Sequence, residues 1–359
     1  MSGWGLYVHI PFCPYKCDYC DFVAVTAGPR TRQWIPRYMA ALVREMENER
    51  WDGPAATAFY GGGTPTVVPL AELHEQFKRQ LAPDAEVTAE ANPGTVTVDS
   101  LRAMRKAGIN RLSIGLQSSQ DRILQGLHRL HTFQDFLDAY RAAREAGFDN
   151  LNVDLMYGLP GQSLADWRET LAQVCDLGPE HLSAYGLQVE EGTVLFARRP
   201  SLPTDDDQAE MYEVARRDLA DAGYEQYEIS NWCRPARACA HNLLYWRNEQ
   251  WLGLGVGAAS QGGSRRWTNA SRLAPYCEAV EAGQPAPVRD AEPRDIASDV
   301  LVLGLRLREG VPAAAIDMDR FGPAIDAHVA RGWLQWRQGR LRLTDAGLPV
   351  ANQVWSDLL

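Results

Sequence analysis

Between residues 6 and 187, short apolar stretches alternate with longer segments that repeat apolar residues every three or four positions. That alternation narrows the folds open to the chain more than any other feature. Residues 6–10, 57–60, 87–90, 111–116, 151–155 and 181–187 predict strands. Residues 34–50, 70–81, 99–107, 121–127, 133–146 and 164–176 predict helices; in the first of these, Trp34, Ile35, Tyr38, Met39, Leu42, Val43 and Met46 form one stripe. The pairs Ala107-Gly108, Ala146-Gly147 and Ala222-Gly223 put glycine where a helix ends in a left-handed cap. About six βα units follow, so the class is α/β with a parallel, helix-covered sheet.

In such folds chemistry gathers at the C-terminal ends of the strands. The polar and glycine-rich departures from the pattern fall there. Three cysteines, Cys13, Cys17 and Cys20, follow the first strand, and Gly61-Gly62-Gly63-Thr64-Pro65 follows the second. Glu90-Ala91-Asn92-Pro93-Gly94 ends the third, Gln117 ends the fourth, and Asp154 lies near the end of the fifth. One rim carries all five, as a single site would. The glycine run is not a P-loop, since no GK[ST] follows; it lets backbone approach a ligand closely.

The rhythm breaks after Leu187. Residues 224–267 hold Tyr224, Tyr227, Trp232, Tyr245, Trp246, Trp251 and Trp267. Residues 283–293 predict a linker. Beyond it, helices near 296–307 and 324–331, a hairpin over 333–343 and a last helix from Thr344 give the order of a winged helix. The expected domains are residues 1–223, 224–285 and 294–359. With 36 Lys and Arg against 46 Asp and Glu, the formal charge is −10, which argues against nucleic acid as a partner, and the C-terminal unit lacks a basic recognition stripe. No apolar run reaches the roughly 18 residues of a membrane span. The start, Met1-Ser2-Gly3-Trp4, lacks the pattern of a signal peptide. Seven cysteines, an odd count, fit a reducing cytoplasm better than a disulfide scaffold.

Thiolates at spacings of four and three converge on one soft metal centre. Zinc wants a fourth Cys or His nearby, and residues 21 and 22 are Asp and Phe. A [4Fe–4S] cluster held by three thiolates leaves one iron open to a small ligand. Cys13-Pro14-Tyr15-Lys16-Cys17-Asp18-Tyr19-Cys20 resembles the CxxxCxxC segment of radical S-adenosylmethionine (SAM) proteins. The resemblance implies a partial TIM-type (β/α)6 barrel, a [4Fe–4S] cluster on the three cysteines, and SAM on its open iron.

Wider stretches resemble the oxygen-independent coproporphyrinogen III dehydrogenase group: residues 7–13, 61–66, 90–93, 113–118 and 154–160, together with the tail from Asp295. That implies SAM contacts from Tyr7, Tyr19, Gly62, Gly63, Thr64, Glu90, Gln117, Arg129 and Asp154. Carboxylates such as Glu90 and Asp154 accept from an ammonium or from ribose hydroxyls, and Arg129 pairs with a carboxylate. Against this, Arg129 would also serve as a solvated charge, and His9 reads as structural. Asp154, between Val153 and Leu155, needs a partner if buried.

Two features separate the decarboxylating enzyme from a haem-chaperone (HemW-type) branch of this group. The enzyme has a fourth cysteine two positions after the third; here that residue is Phe22. The chaperone branch carries HNxxYW, matched by His241-Asn242-Leu243-Leu244-Tyr245-Trp246. Neutral imidazole ligates haem iron, and aromatic rings offer a flat apolar face. The haem candidates are therefore His241, Asn242, Tyr245 and Trp246, with Cys239 as an alternative second ligand; Cys175, Cys233 and Cys277 read as buried thiols. The resemblance implies a chaperone rather than a catalyst, with haem as cargo, acceptor haemoproteins as partners and a homodimer left open. The enzymatic alternatives are porphyrinogen decarboxylation and radical SAM methyl transfer.

Overall fold

Six strands run parallel because each is followed by a helix that carries the chain back across the outer face of the sheet. They are β1 (Gly5–Ile10), β2 (Ala55–Gly62), β3 (Leu81–Ala91), β4 (Arg111–Gln117), β5 (Leu151–Tyr157) and β6 (His181–Gly186), paired in chain order. The computed structural model describes residues 3–49 and 51–359. Met1 and Ser2, at the start expected to lack a signal, and Arg50, the expected end of the first helix, lie outside them.

The main crossover helices are α1 (Trp34–Asn48), α2 (Leu70–Phe77), α3 (Val98–Ala107), α4 (Phe133–Glu145) and α5 (Leu164–Leu177). Reciprocal caps start three of them, Thr97 with Ser100, Thr132 with Asp135 and Ser163 with Asp166. Gly108, Gly147 and Gly223 all have positive φ, as expected at helix ends. The helix expected over 70–81 stops at Phe77, and Leu81 already opens β3. Pro83 explains the difference: it offers no N–H and disfavours helical backbone in the residue before it.

The sheet extends beyond these six strands. On one edge lie β7 (Glu225–Glu228) and β8 (Asn231–Cys233), β8 antiparallel to β6. On the other, β9 (Trp251–Leu254) runs parallel to β1, followed by antiparallel β10 (Ala259–Gly262), β11 (Arg265–Asn269) and β12 (Val288–Pro293). The order is β12-β11-β10-β9-β1-β2-β3-β4-β5-β6-β8-β7, an open partial barrel. Residues 288–293 are thus a strand and not linker. All six are exposed on the sheet edge, so no apolar alternation marks them, and Pro293 sits at the strand's end, where its missing N–H is tolerated.

The C-terminal unit has helices Ile296–Gly304 and Met318–Ala330, a hairpin of Leu334–Arg337 with Arg340–Leu343, and a short helix Ala351–Ser356. Its second helix begins six residues before the expected 324 and contains Pro323. The last helix starts after Pro349 rather than at Thr344. Among the described residues no helix is long and apolar enough to cross a membrane.

Side chains alternate along each strand, and the inward set of β3–β6 is polar. Asn152 Nδ2 donates to Ser113 Oγ (2.7 Å) and Asp154 Oδ1 (2.9 Å), and its Oδ1 lies 2.6 Å from His181 Nδ1. His181 Nε2 is 2.9 Å from the Tyr227 hydroxyl, which accepts from Asn242 Nδ2 at 3.5 Å. A hydrogen-bonded chain therefore runs through the barrel between its two ends.

Candidate functional site

At the C-terminal ends of the strands lies a cavity of about 450 Å³, within the roughly 300–1,000 Å³ range of small-ligand sites. The cysteine loop forms one wall. It is closed by a short parallel pair, Phe12–Cys13 with Val25–Thr26, and by Cys20 N donating to Cys17 O at 3.1 Å. Cys13, Cys17 and Cys20 all face the cavity. Burial pushes the Cys13 thiol up to about 11 and also raises Cys20. Among the described residues, no three His, Cys, Asp or Glu side chains converge tightly enough to chelate a single ion.

The glycine run serves the loop as much as any ligand. Gly62, with φ +109°, leaves room for the His9 ring, which a Cβ would meet at 2.5 Å; at Gly63 a Cβ would meet the Phe12 carbonyl at 2.7 Å. His9 is structural, as expected: its Nε2 lies 2.7 Å from Val23 O and its Nδ1 3.0 Å from the Tyr7 hydroxyl.

Arg129 is buried rather than a solvated charge. Its Nη2 donates to Asn92 Oδ1 and Gly115 O, both at 2.7 Å, and its Nη1 reaches Cys17 Sγ at 3.4 Å. Asn92 in turn donates to Thr64 Oγ1 (2.8 Å), which lies 3.4 Å from Cys13 Sγ. Asp154 has the partner that burial demands, accepting from Ser113 Oγ at 2.8 Å as well as from Asn152. Glu90 accepts from Gly62 N (3.2 Å), and burial, then the charge of Asp154, push its carboxyl up to about 8. Three residues lining this cavity carry a buried side-chain atom without a hydrogen-bond partner: the Tyr15 hydroxyl, Gln117 Oε1 and Arg129 Nε. Gln117 also has φ +68° at a register shift in β4, a conformation costly for a residue with a Cβ and tolerated where it aims a side chain. Open donors and an open acceptor here leave room for a polar ligand to pair with them.

Of the nine residues that the resemblance assigned to SAM, Tyr19, Gly62, Gly63, Thr64, Glu90, Gln117, Arg129 and Asp154 line this cavity. Tyr7 does not. It lines a neighbouring cavity of about 380 Å³ with His9, Asp21, Phe22, Tyr245 and Trp251. Asn92 and Ser113 are additions: each lies in a stretch already noted, but neither is charged, so nothing in the sequence distinguished them.

The segment 7–174 matches the model of the radical SAM superfamily, and 291–350 that of the HemN C-terminal domain. "Heme chaperone HemW" of Mycobacterium tuberculosis is 38% identical to this chain, over 99% of it and 95% of the relative. The chain belongs to the HemW family of radical SAM proteins. The Bacillus subtilis HemW is 33% identical over 98% of both chains. The solved coproporphyrinogen III oxidase (HemN) of Escherichia coli shares the fold with a TM-score of 0.84, at 22% identity over 99% of this chain and 90% of that one.

In this HemW-family chain the HNxxYW segment lies at the opposite, N-terminal end of the barrel. It forms the helix Ala240–Trp246, whose first N–H groups, from Ala240 and His241, donate to Glu86 at 3.1 Å. His241 is 1% exposed. Its Nδ1 lies 2.7 Å from Thr57 Oγ1 and its Nε2 2.8 Å from the Tyr245 hydroxyl, and its ring stacks on Phe59. Burial, then Arg111, push its pKa down to about 3. Trp246 lies under the Arg306 guanidinium at 4.2 Å. Cys239 is buried, its thiol 3.4 Å from Glu86 Oε1. Both nitrogens of His241 are engaged here, so the ring must leave Thr57 or Tyr245 before it can bind iron.

Proposed function

We propose that this chain is a haem chaperone: it binds haem in the cytoplasm, passes it to acceptor haemoproteins, and holds a [4Fe–4S] cluster on Cys13, Cys17 and Cys20 with SAM in the adjoining cavity. The observation that carries this is the meeting of Phe22 and Tyr245 on one cavity with Tyr7. Phe22 replaces the thiol of the decarboxylating enzymes, and Tyr245 belongs to HNxxYW; they are 223 positions apart by number yet share one wall. The donor set fits the cofactors. Three thiols line one wall too widely for a single ion, and the open Arg129 Nε and Gln117 Oε1 suit the carboxylate and a hydroxyl or amine of SAM. A cluster held by these three thiols would supply one-electron reduction beside the cavity. Arg129, Asn92 and Thr64 brace its loop, Glu90 and Asp154 accept from the ligand's donors, and Thr57 and Tyr245 keep His241 closed until haem is handled, with Asn242 and Trp246 anchoring the same helix on Tyr227 and Arg306.

The test adds haem to anaerobically reconstituted protein, follows the Soret band, and then presents an apo-haemoprotein. A shifted band that transfers supports the reading; no band with wild-type protein refutes it. The cavity lined by eight of the nine SAM candidates favours one second reading, SAM cleavage with oxidation of a porphyrinogen. Protoporphyrinogen formed from coproporphyrinogen III, SAM and reductant would establish it.

A further inference from the structure

We propose that the ligand that first captures haem iron is the exposed imidazole of His128, braced by Asp18 of the cysteine loop. The inference rests on the haem reading above and adds a site to it.

His128 ends the short helix Asp121–Gly126 with φ +54°, a backbone region that suits glycine and that few residues with a Cβ adopt. Its own N–H donates to Gln125 O and that of Arg129 to Leu124 O, so the turn closes without any help from the imidazole. The ring nevertheless has a defined environment. Nδ1 lies 2.8 Å from Asp18 Oδ2, a carboxylate 6% exposed that also receives the Arg198 guanidinium. Nε2 has no partner among the described residues, and the side chain is 70% exposed. A carboxylate on one nitrogen and open solvent at the other is the arrangement of a metal-binding histidine: the carboxylate fixes the tautomer and the orientation of the ring. His241 has no free nitrogen.

What surrounds the ring favours haem over a bare ion. Leu130, two positions on, is 71% exposed, and Val194 and Phe196 are exposed on the helix Val194–Arg198, whose Arg198 also meets Asp18. That helix is seated on the cluster loop by Leu195 N donating to Asp18 O at 2.8 Å, while Lys16 Nζ reaches Phe22 O at 3.3 Å. A planar apolar macrocycle would cover these side chains, as an ordinary surface ion pair would not. The exposed Arg198, which meets Asp18, and Arg199 next to it, in a chain of formal charge −10, complement two propionates. One protein ligand leaves the far face of the iron open to an acceptor's own ligand. Asp18 lies between Cys17 and Cys20, so this face is joined directly to the cluster loop.

The experiment titrates haem into holoprotein with the cluster reconstituted, comparing wild type, His128→Gly, His128→Gly with added imidazole, His241→Ala and Leu130→Glu/Phe196→Glu. Glycine suits φ +54°, so His128→Gly keeps the fold, checked by circular dichroism and iron content. The expected result is at least tenfold weaker haem binding with loss of the shifted Soret band in His128→Gly, restoration of the band by imidazole, and weaker binding in the double glutamate variant. An unchanged band in His128→Gly, or a band lost in His241→Ala but not in His128→Gly, overturns the site while leaving the haem reading intact. No band in wild type refutes the haem reading itself, and this site with it.

Discussion

Gly62→Ala is the sharpest test of how the glycine run works. At φ +109° any residue with a Cβ is strained, and this Cβ would lie 2.5 Å from His9 Cε1 and 2.6 Å from Nδ1. The imidazole cannot simply swing away, since Tyr7 and Val23 hold its two nitrogens. Backbone strain costs about 1–2 kcal/mol, and each buried hydrogen bond left unmade costs about 1–3 kcal/mol. With one of the two bonds lost the sum is about 2–5 kcal/mol, a large part of a typical stability of roughly 5–15 kcal/mol. Gly263 is the control: its φ is +57° and a Cβ there meets nothing within 4 Å, so Gly263→Ala costs only the strain, about 1–2 kcal/mol. Urea midpoints of both variants separate the two contributions. Gly62 N also donates to Glu90, so Gly62→Ala should weaken SAM binding in calorimetry, which Gly263→Ala should not. Removing the ring in His9→Ala should recover more than about 1 kcal/mol of the loss, the coupling expected of side chains in contact. Equal midpoint shifts for the two glycine variants, or no coupling to His9, would refute the reasoning.

Three further outcomes are expected. Glu90, pushed up to about 8 by burial and then by Asp154, is protonated in the fold where an unfolded glutamic acid, near 4.3, is ionised; its contribution to stability is therefore lost as pH rises from about 4.5 to about 8. A cationic ligand needs the ionised form, so SAM affinity should rise by up to about tenfold per pH unit between pH 6 and 8, with Glu90→Gln flattening the profile in calorimetry. Arg129→Gln strips donors from Asn92 Oδ1 and Gly115 O and should cost about 2–5 kcal/mol by urea midpoint, with SAM binding weakened at least tenfold. Phe22→Cys changes an exposed side chain and should move stability by less than about 0.5 kcal/mol; iron and sulfide per chain should stay unchanged after reconstitution, and a gain would show that position 22 takes part in the cluster.

Much of the site was legible because its residues lie close together within motifs. The cysteine spacing, the glycine run and the acidic strand ends each name a local geometry, and a parallel sheet brings strand ends to one rim whatever the connecting helices contain. Strand β12 was not legible, since an exposed edge strand has no buried face to impose alternation. Tyr7 was grouped with the SAM residues, yet its hydroxyl points to His9 and into the neighbouring cavity.

The sequence by itself determined the class, the six parallel strands and the three-thiol loop, because period, capping residues and cysteine spacing act over a few positions along the chain. The tertiary structure alone decided which charged and aromatic groups are reachable. Arg129, next in the chain to the exposed Leu130, is buried among Asn92, Gly115 and Cys17. His241, in the motif that drew attention to haem, is closed between Thr57 and Tyr245, while His128, in no motif, presents a free nitrogen beside Asp18. Burial and hydrogen-bond occupancy depend on segments more than a hundred residues away in the case of both Asp18 and Thr57, and no local pattern records them.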